Sequence, residues 1–272
     1  MTKSPTEFEW TGPRADRAAL STFGVRLEGG GPHQSKTMMF AELDALLSTG
    51  LDEAAELELA AIAENVLGKA TANTRSLTYR HLAALYGLKA QPSLTKALFA
   101  IWRRDPQGHR LQALLVALAR DPLLRSTAMT ILESPVGSTI KWPAFAAALE
   151  EVYPNRFREK TLRSLAQNCA SSWTQSGHLQ GALRKIRQRV WPTPPVAAFA
   201  ALLAAVSGFT GPAVLSSIWM KVLDLSPDRA LELLRQAEAI GLARVRSAGD
   251  VTEISIRQPM AAALGVRELE HV

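Results

Sequence analysis

The glycine-rich stretch GGGPHQSKT, residues 29–37, is the first place in the chain where residue types and spacing could do chemistry. Gly30 followed after four residues by Ser35, Lys36 and Thr37 approximates a phosphate-binding loop, in which backbone amides and a lysine hold nucleotide phosphates. Ser35 stands where that loop has a glycine, and no series of strands is predicted to form the parallel sheet that carries it. We therefore expect no nucleotide hydrolysis, and interpret the stretch as a flexible turn with Ser35 or Thr37 capping the next helix.

Five histidines and one cysteine are the other side chains that could bind a metal or attack a substrate. The histidines are scattered, without the ligand spacing of a zinc site. Cys169 lies on the apolar side of a predicted helix, so we expect it to be packed and inert. A single cysteine also excludes an internal disulfide framework and fits a reducing compartment. The sequence predicts no metal, no cofactor and no catalytic site; the histidines are His33, His81, His109, His178 and His271.

The charge of the chain is concentrated rather than uniform. The 272 residues carry a formal net charge of +6. Residues 156–191 contain eight Lys or Arg and one acid, Glu159, whereas residues 38–68 contain seven acids and no Lys or Arg. A focused basic segment is typical of a protein with a polyanion partner. The alternative is a solvated helix face that happens to be basic.

The first half of the basic segment predicts a long amphipathic helix, opened by Pro154-Asn155 and ending near Gln175. One side is an apolar stripe, Leu162, Leu165, Ala166, Cys169 and Trp173. The other side mixes long cations with short uncharged donors, which suits contact with phosphates and base edges. That polar side is Lys160, Arg163, Ser164, Gln167, Ser171 and Thr174.

The second half, ALRKIRQRVW, predicts another basic helix that buries Leu183, Ile186 and Val190. If the two basic surfaces are adjacent, they could engage about six to eight phosphates. The predicted DNA-binding residues are Arg156, Arg158, Lys160, Arg163, Gln167, Arg184, Lys185, Arg187 and Arg189, with Arg244 and Arg246 as secondary candidates.

The stretch LARVRSAGDVTEISIR, residues 242–257, alternates apolar and polar residues on both sides of a glycine-containing turn, which predicts a β-hairpin. The helix before it begins with Ser226 as N-cap and Pro227 at its first position, and ends at Gly241. This order is typical of a winged helix-turn-helix. The module carries as many acids as bases, which leaves two interpretations open: DNA contact by the wing arginines, or a structural and protein-docking role.

The remaining pattern predicts a mainly α protein. We divide it into a loosely ordered extension (1–35) with a short strand at Phe23–Leu27, a helical domain with a basic face (36–190), and a winged-helix-like module (191–272). The boundary is WPTPPV, whose prolines fix an extended geometry. The start has no apolar signal segment, and the longest apolar run is too short to span a bilayer. We expect a cytoplasmic protein without a membrane partner.

The order of these motifs resembles the BrxA family, small helical accessory proteins of BREX phage-defence systems. The resemblance lies in SKTMMFAELDALLSTGL, ENVLGKATANTRSLTYRHLAALY, LQALLVALARDPLLR, FREKTLRSLAQNCASSWTQSGHL and the closing Gly-Leu-hairpin, between about residues 35 and 257. It implies a NusB-like helical bundle and a non-catalytic component that binds double-stranded DNA and other defence-system proteins. The Gly-rich N-terminal extension departs from the family pattern.

Two other functions fit the same residues. A protein-interaction adaptor could dock its basic segment on an acidic partner, including the acidic 42–64 surface of another copy. A transcription regulator could use the winged helix for sequence readout, although the neutral charge of that module disfavours it. The sequence leaves the oligomeric state open.

Overall fold

The computed structural model describes residues 10–182, 184–248 and 251–271. Over these residues the protein is mainly helical with small antiparallel sheets, which confirms the predicted mainly α class. The helices before the first strand are α1 (Arg17–Phe23), α2 (Phe40–Leu47), α3 (Ala54–Ile62), α4 (Ala72–Tyr86), α5 (Ser93–Trp102), α6 (His109–Arg120), α7 (Pro122–Arg125) and α8 (Ala128–Leu132). After them come β1 (Thr139–Ile140), α9 (Trp142–Val152), α10 (Glu159–Gln175), β2 (Leu179–Gln180), β3 (Lys185–Arg187), α11 (Pro194–Val206), α12 (Ile218–Lys221), α13 (Pro227–Ala239), β4 (Arg244–Ala248), β5 (Val251–Ser255) and α14 (Arg257–Leu264).

The N-terminal residues pack onto the helical core from Trp10 onward, so the expected loose extension is corrected for residues 10–35; residues 1–9 lie outside the described range. The strand predicted at Phe23–Leu27 is wrong, because Phe23 ends α1. Leu20 and Phe23 lie one turn apart on this helix and are both fully buried. Two apolar positions are too few to show a helical period, which is why the sequence did not reveal α1.

The glycine-rich stretch is an ordered part of the core rather than a flexible turn. Residues Pro32–Gln34 form a 3-10 turn, and the backbone at Gly31 approaches Asp121 so closely that a Cβ there would lie 2.0 Å from the carboxylate. Neither Ser35 nor Thr37 caps the next helix, since α2 begins only at Phe40.

The core is built around α6 and α11, which are apolar on nearly every side. Leu111–Ala119 of α6 and Val196–Ala204 of α11 are buried throughout, as expected for helices surrounded by other helices. The two helices pack on each other, so buried residues on both sides of WPTPPV belong to one contiguous core. Among the described residues no helix is by itself long and apolar enough to cross a membrane; α11 and residues 211–221 pass that test only as a pair, bent by 117°.

The basic segment begins on a helical hairpin, in which α9 packs along α10. The predicted apolar stripe of α10 is confirmed: Leu165, Ala166, Cys169 and Trp173 are fully buried and Leu162 is partly buried. The helix starts at Glu159, later than Pro154-Asn155, since Arg158 still has extended backbone.

The second predicted basic helix is wrong, because residues 185–187 form the central strand of a three-stranded sheet ordered β1-β3-β2. Ile186 pairs with Thr139 on one side and with Gln180 on the other. The spacing of Ile186 and Val190 fits a helix, but partners distant in sequence satisfy the backbone as a strand instead. Leu183 lies outside the described residues.

The C-terminal part follows the predicted order of a capped helix and a hairpin. The Ser226 hydroxyl accepts a hydrogen bond from the Arg229 amide at 3.3 Å, and Gly241 closes the helix end with a φ of 78°. Strands β4 and β5 pair antiparallel, with Val245 opposite Ile254. Helix α14 then returns the chain to α5, which ties this part to the helical body.

Candidate nucleic-acid interface

The polar side of α10 remains open to solvent between two neighbours. Helix α9 covers one flank. The segment before α2 covers the other, where the Asn168 side chain donates to the His33 carbonyl at 3.0 Å and Gln175 accepts from the Phe40 amide at 2.9 Å. Between them lies what we call the α10 strip: Lys160, Arg163, Ser164 and Gln167, which are exposed, and Ser171 and Thr174, which are half-buried. From Lys160 to Thr174 it runs about 21 Å along the helix.

Just before the α10 strip, in the α9–α10 turn, a cation is held on two aromatic rings. The Arg156 guanidinium lies 5.2 Å from the Tyr153 ring centroid and 5.5 Å from that of Phe157. Arg156 and its neighbour Arg158 are exposed. Stacking on the rings fixes the long side chain without neutralising its charge.

A second cation–aromatic pair lies along the strip, where the Arg163 guanidinium sits 5.2 Å from the Trp142 ring. Trp142 opens α9 and directly follows Lys141, an exposed cation that the sequence analysis did not select. The strand pairing of Ile140 with Lys185 brings Lys141 beside the β2–β3 hairpin. Lys141 stands 15 residues before Arg156, and only this non-local pairing reveals that it belongs to the same surface.

The strip ends at β3. The Lys185 ammonium donates to the Thr174 hydroxyl at 2.8 Å, and partial burial lowers the pKa of Lys185 from its usual value. Arg184 is exposed at the hairpin turn that precedes the strand. The two basic stretches are therefore adjacent, through a sheet rather than through two helices. We call Arg156, Arg158, Arg184, Lys185, Lys141 and the α10 strip together the basic interface.

Positive charge continues past the other flank of α10. Burial, then the charges of Lys36 and Arg80, lower the pKa of His81. Lys36 precedes Thr37, whose hydroxyl accepts from the Gln175 side chain of α10 at 2.9 Å. Lys36 and Arg80 were also missed by sequence analysis, because they come from segments outside the basic run.

Arg187 is a correction to the predicted contacts, because its side chain is inside the protein. The residue is 2% exposed, and its guanidinium is held by both carboxylate oxygens of Asp224. Its Nε also donates to the Ile131 carbonyl at 3.1 Å. Arg189 is exposed, but it lies over Trp191 and lines a cleft beside α12 and α13 rather than extending the α10 strip.

The wing arginines are exposed on β4, which is far from α10 in sequence. The β4–β5 sheet is also separate from the β1-β3-β2 sheet that borders the α10 strip. Arg246 stands opposite Glu253 and Arg244 opposite Ser255. On the surface of α13, Arg229 forms a salt bridge with Glu232, three residues further along the helix. The charge of this module is thus mixed in space as well as in composition.

The acids and bases of the chain differ in how they are paired. Three of the seven acids of the 42–64 segment form salt bridges: Glu42 with Lys69 at 2.7 Å, Asp52 with Arg103 at 2.6 Å, and Glu58 with Lys89 at 3.1 Å. Asp44 lies 2.9 Å from the Nδ1 atom of His109, at hydrogen-bond distance. Within the described ranges, no carboxylate pairs with the cations of the basic interface. Charges left unneutralised on one face focus a positive potential outward.

A Ser–His–Asp arrangement lies inside the protein. His33 Nδ1 is 2.7 Å from Asp121 Oδ2, and His33 Nε2 is 2.8 Å from the Ser172 hydroxyl. All three residues are fully buried. The Ser172 hydroxyl also accepts from the Met38 amide at 2.8 Å and lies 3.0 Å from the Asn168 carbonyl, so its lone pairs and proton are already used. The geometry anchors the N-terminal segment to α10 and offers no path for a substrate to the hydroxyl.

A scan against protein-family models found no match, and a search of curated protein sequences found none either. The resemblance to the BrxA family therefore stays a prediction from the sequence. Within the described residues, no three His, Cys, Asp or Glu side chains come together as metal ligands would.

Proposed function

We propose that this protein binds double-stranded DNA through the basic interface and acts without catalysis. The observation that carries the proposal is the unequal pairing of charge. Three acids of the 42–64 segment form salt bridges with Lys or Arg and Asp44 is bonded to His109, while no carboxylate pairs with the mostly exposed cations around α10 among the described residues. Phosphates of a nucleic-acid backbone supply the regular negative charge that such a surface attracts.

The dimensions of the α10 strip support a duplex. A length of about 21 Å corresponds to about six base-pair steps at 3.4 Å of axial rise per strand. Gln167 stands on the strip after Arg163 as an exposed uncharged amide that suits phosphate oxygens and base edges, while the Ser164 hydroxyl donates to the Lys160 carbonyl at 3.1 Å. Arg156 and Arg163 are fixed on aromatic rings, so less side-chain entropy is lost when they bind.

The C-terminal capped helix and hairpin support a winged-helix module in a secondary role. Its mixed charge favours packing or protein docking over an independent grip on DNA. The family resemblance extends the proposal to a BREX-type defence component that meets other defence-system proteins. The single buried, unpaired Cys169 fits the reducing cytoplasm in which such a component would act.

Duplex binding at several salt concentrations tests the proposal. Fluorescent duplex DNA is titrated with wild type, with Lys160→Ala/Arg163→Ala/Arg184→Ala, and with Arg235→Ala as a control at an exposed cation outside the interface. Wild-type affinity should fall by about three orders of magnitude between about 50 and 200 mM salt. The triple variant should bind at least tenfold more weakly at low salt, with a log–log salt slope smaller by about 0.9 for each phosphate that is no longer neutralised. Arg235→Ala should match wild type.

Other outcomes separate the competing functions. Absence of binding at low salt would contradict the proposal and favour the adaptor. Binding that survives the triple change but collapses in Arg244→Ala/Arg246→Ala would favour a winged-helix regulator. If the salt dependence of affinity were unchanged in the triple variant, the basic interface would not be the surface that contacts the phosphates.

A further inference from the structure

A second surface feature lies outside the basic interface. A cleft of about 850 Å³ opens between α8, residues 189–192, α12 and the start of α13. Its lining includes the apolar side chains of Leu132, Phe209, Ile218 and Leu233, and about half of the lining residues are polar or charged. The volume is typical of sites for small organic ligands, and the mixed lining suits a ligand that has both an aromatic and a charged part.

The rim of the cleft presents Trp191, which is 77% exposed. Four of the six tryptophans, Trp10, Trp102, Trp173 and Trp219, are buried, and Trp142 is 36% exposed beneath Arg163. An indole left in water forgoes the large stabilisation that burial of an aromatic side chain gives. The Arg189 guanidinium lies 5.8 Å from the Trp191 ring. An exposed indole with an arginine beside it is the arrangement on which nucleic-acid bases stack.

The cleft also carries available positive charge. Arg189 and Lys221 line it, and neither forms a salt bridge within the described part of the chain. Two other charged residues of the lining already have ion-pair partners within the protein. Asp224 pairs with Arg187, and Arg229 pairs with Glu232. Glu133 is the acid that remains at the rim, so cations outnumber acids among the unpaired lining groups.

We propose that this cleft binds a nucleotide, with the base against Trp191 and the phosphate held by Arg189 and Lys221. An aromatic ring joined to a phosphate matches the two chemistries that the cleft offers together. The nucleotide is either free or an unpaired unit of a single strand, and both sources present the same groups. The site is separate from the basic interface and does not depend on duplex binding there.

Intrinsic tryptophan fluorescence of the full chain tests the site. Wild type is titrated with AMP, a short single-stranded oligonucleotide, a blunt duplex, adenosine and inorganic phosphate. AMP, the oligonucleotide or both should change the emission saturably, with adenosine and phosphate each at least tenfold weaker. Trp191→Phe should abolish the change, while Trp142→Phe, the matched control at the other exposed tryptophan, should keep it. Lys221→Ala should weaken AMP or oligonucleotide binding about tenfold or more, the effect of losing one charge-assisted hydrogen bond.

The outcomes identify the source and decide the proposal. Saturation by AMP marks a site for free nucleotides, and saturation by the oligonucleotide alone marks a site for unpaired strand; both support it. Saturation by the duplex alone, no saturation by any nucleotide, or an undiminished change in Trp191→Phe would overturn it. Lys160→Ala/Arg163→Ala should leave the response intact, so failure of duplex binding and failure of this cleft are read separately.

Discussion

Asp224 binds Arg187 through both carboxylate oxygens and thereby ties β3 to the turn between α12 and α13. The same carboxylate accepts from the Val190 amide at 2.9 Å. The guanidinium has further partners in the carbonyls of Ile131 and Gln188. A buried arginine with its donors used in this way holds the fold together and has nothing left for a phosphate.

Substitution of Arg187 should therefore mainly lower the stability of the fold, whereas substitution of Arg163 should mainly weaken DNA binding. Arg187→Ala leaves the Asp224 carboxylate nearly buried without its partner, and should lower the free energy of unfolding by about 3–5 kcal/mol. Arg163→Ala removes an exposed cation stacked on Trp142, and should cost about 1 kcal/mol or less while weakening DNA binding. Urea denaturation measures the first effect and duplex titration the second.

The double variant Arg187→Met/Asp224→Asn is the control for the ion pair. It removes both charges, and asparagine tolerates the left-handed backbone at position 224, where φ is 57°. Its loss of stability should be smaller than that of Arg187→Ala, because no charge is left uncompensated. A larger loss would show that the Asp224 carboxylate stabilises the fold mainly through the Val190 amide rather than through Arg187.

The parts of this structure that could be predicted from the sequence are those that depend on patterns among residues close together in the chain. The stripe of α10, the Ser226 cap and the 244–255 hairpin each follow from local period or capping chemistry. Strand β3 and the His33 network do not. His33 meets partners 88 and 139 positions away, and β3 depends on pairing with residues 139–140, so neither leaves a local pattern.

The residues of the candidate site likewise include some that a local sequence pattern could place and others that it could not. Arg163 and Gln167 could be placed on an open helix side from the period of α10 alone. Arg187 could not be excluded from the sequence, since a buried arginine and an exposed one look alike until Asp224 is placed. Lys141 could not be added, because its position beside Arg184 follows only from the sheet.

His178 should make stability depend on pH between about 4 and 6.5. Burial lowers the pKa of His178 to about 4, with Arg187 acting in the same direction and Asp224 and the Val222 carbonyl opposing it. The unfolded chain binds the proton near pH 6.5, before the folded protein does. The free energy of unfolding should therefore be highest above pH 6.5 and fall by about 1.4 kcal/mol per pH unit as the pH drops towards 4.

Denaturation by urea across this pH range checks the prediction. His178→Asn should be less stable at pH 7, because Nε2 of the neutral imidazole donates to the Val222 carbonyl at 2.7 Å, but it should lose this slope. His271→Asn, a change at an exposed histidine, should keep it. An equal slope in wild type and His178→Asn would assign the pH dependence to another group.

Gly31 should be intolerant of even a methyl group. Its backbone is extended, with a φ of −130°, so alanine meets no conformational strain there. The added Cβ would instead lie 2.0 Å from the Asp121 carboxylate, which holds both the amide and the ring of His33. We expect Gly31→Ala to lower the free energy of unfolding by about 2–4 kcal/mol through displacement of this buried network.

Gly50→Ala is the matched control for that substitution. Its φ of 77° makes alanine strained, but nothing lies within 4 Å of the added Cβ. It should cost about 1–2 kcal/mol, the strain alone. Thermal or urea unfolding compares the two, and a smaller loss in Gly31→Ala than in Gly50→Ala would contradict the steric account.

Asp121 should control the acid limit of stability. Burial by itself would raise the pKa of Asp121, but the charge and hydrogen bonds of His33, with the amide of Leu123, lower it below its usual value. A carboxyl with a lowered folded pKa stabilises the protein above its unfolded pKa of about 3.9, and that stabilisation is lost as the pH falls through the folded value. Asp121→Asn should therefore lower the free energy of unfolding by about 3–5 kcal/mol at pH 7. Below about pH 4 its stability should depend less on pH than that of wild type.

His33→Gln separates the contribution of the imidazole from that of the fold around it. Without the ring, burial is opposed by fewer interactions, so the pKa of Asp121 should rise and acid unfolding should begin at a higher pH than in wild type. Circular dichroism during acid titration at a fixed urea concentration measures the midpoint. A midpoint in His33→Gln at or below that of wild type would mean that the backbone amides of Leu123 and of residue 33, which each donate to Asp121 at 3.0 Å, hold the carboxyl in its charged form rather than the imidazole.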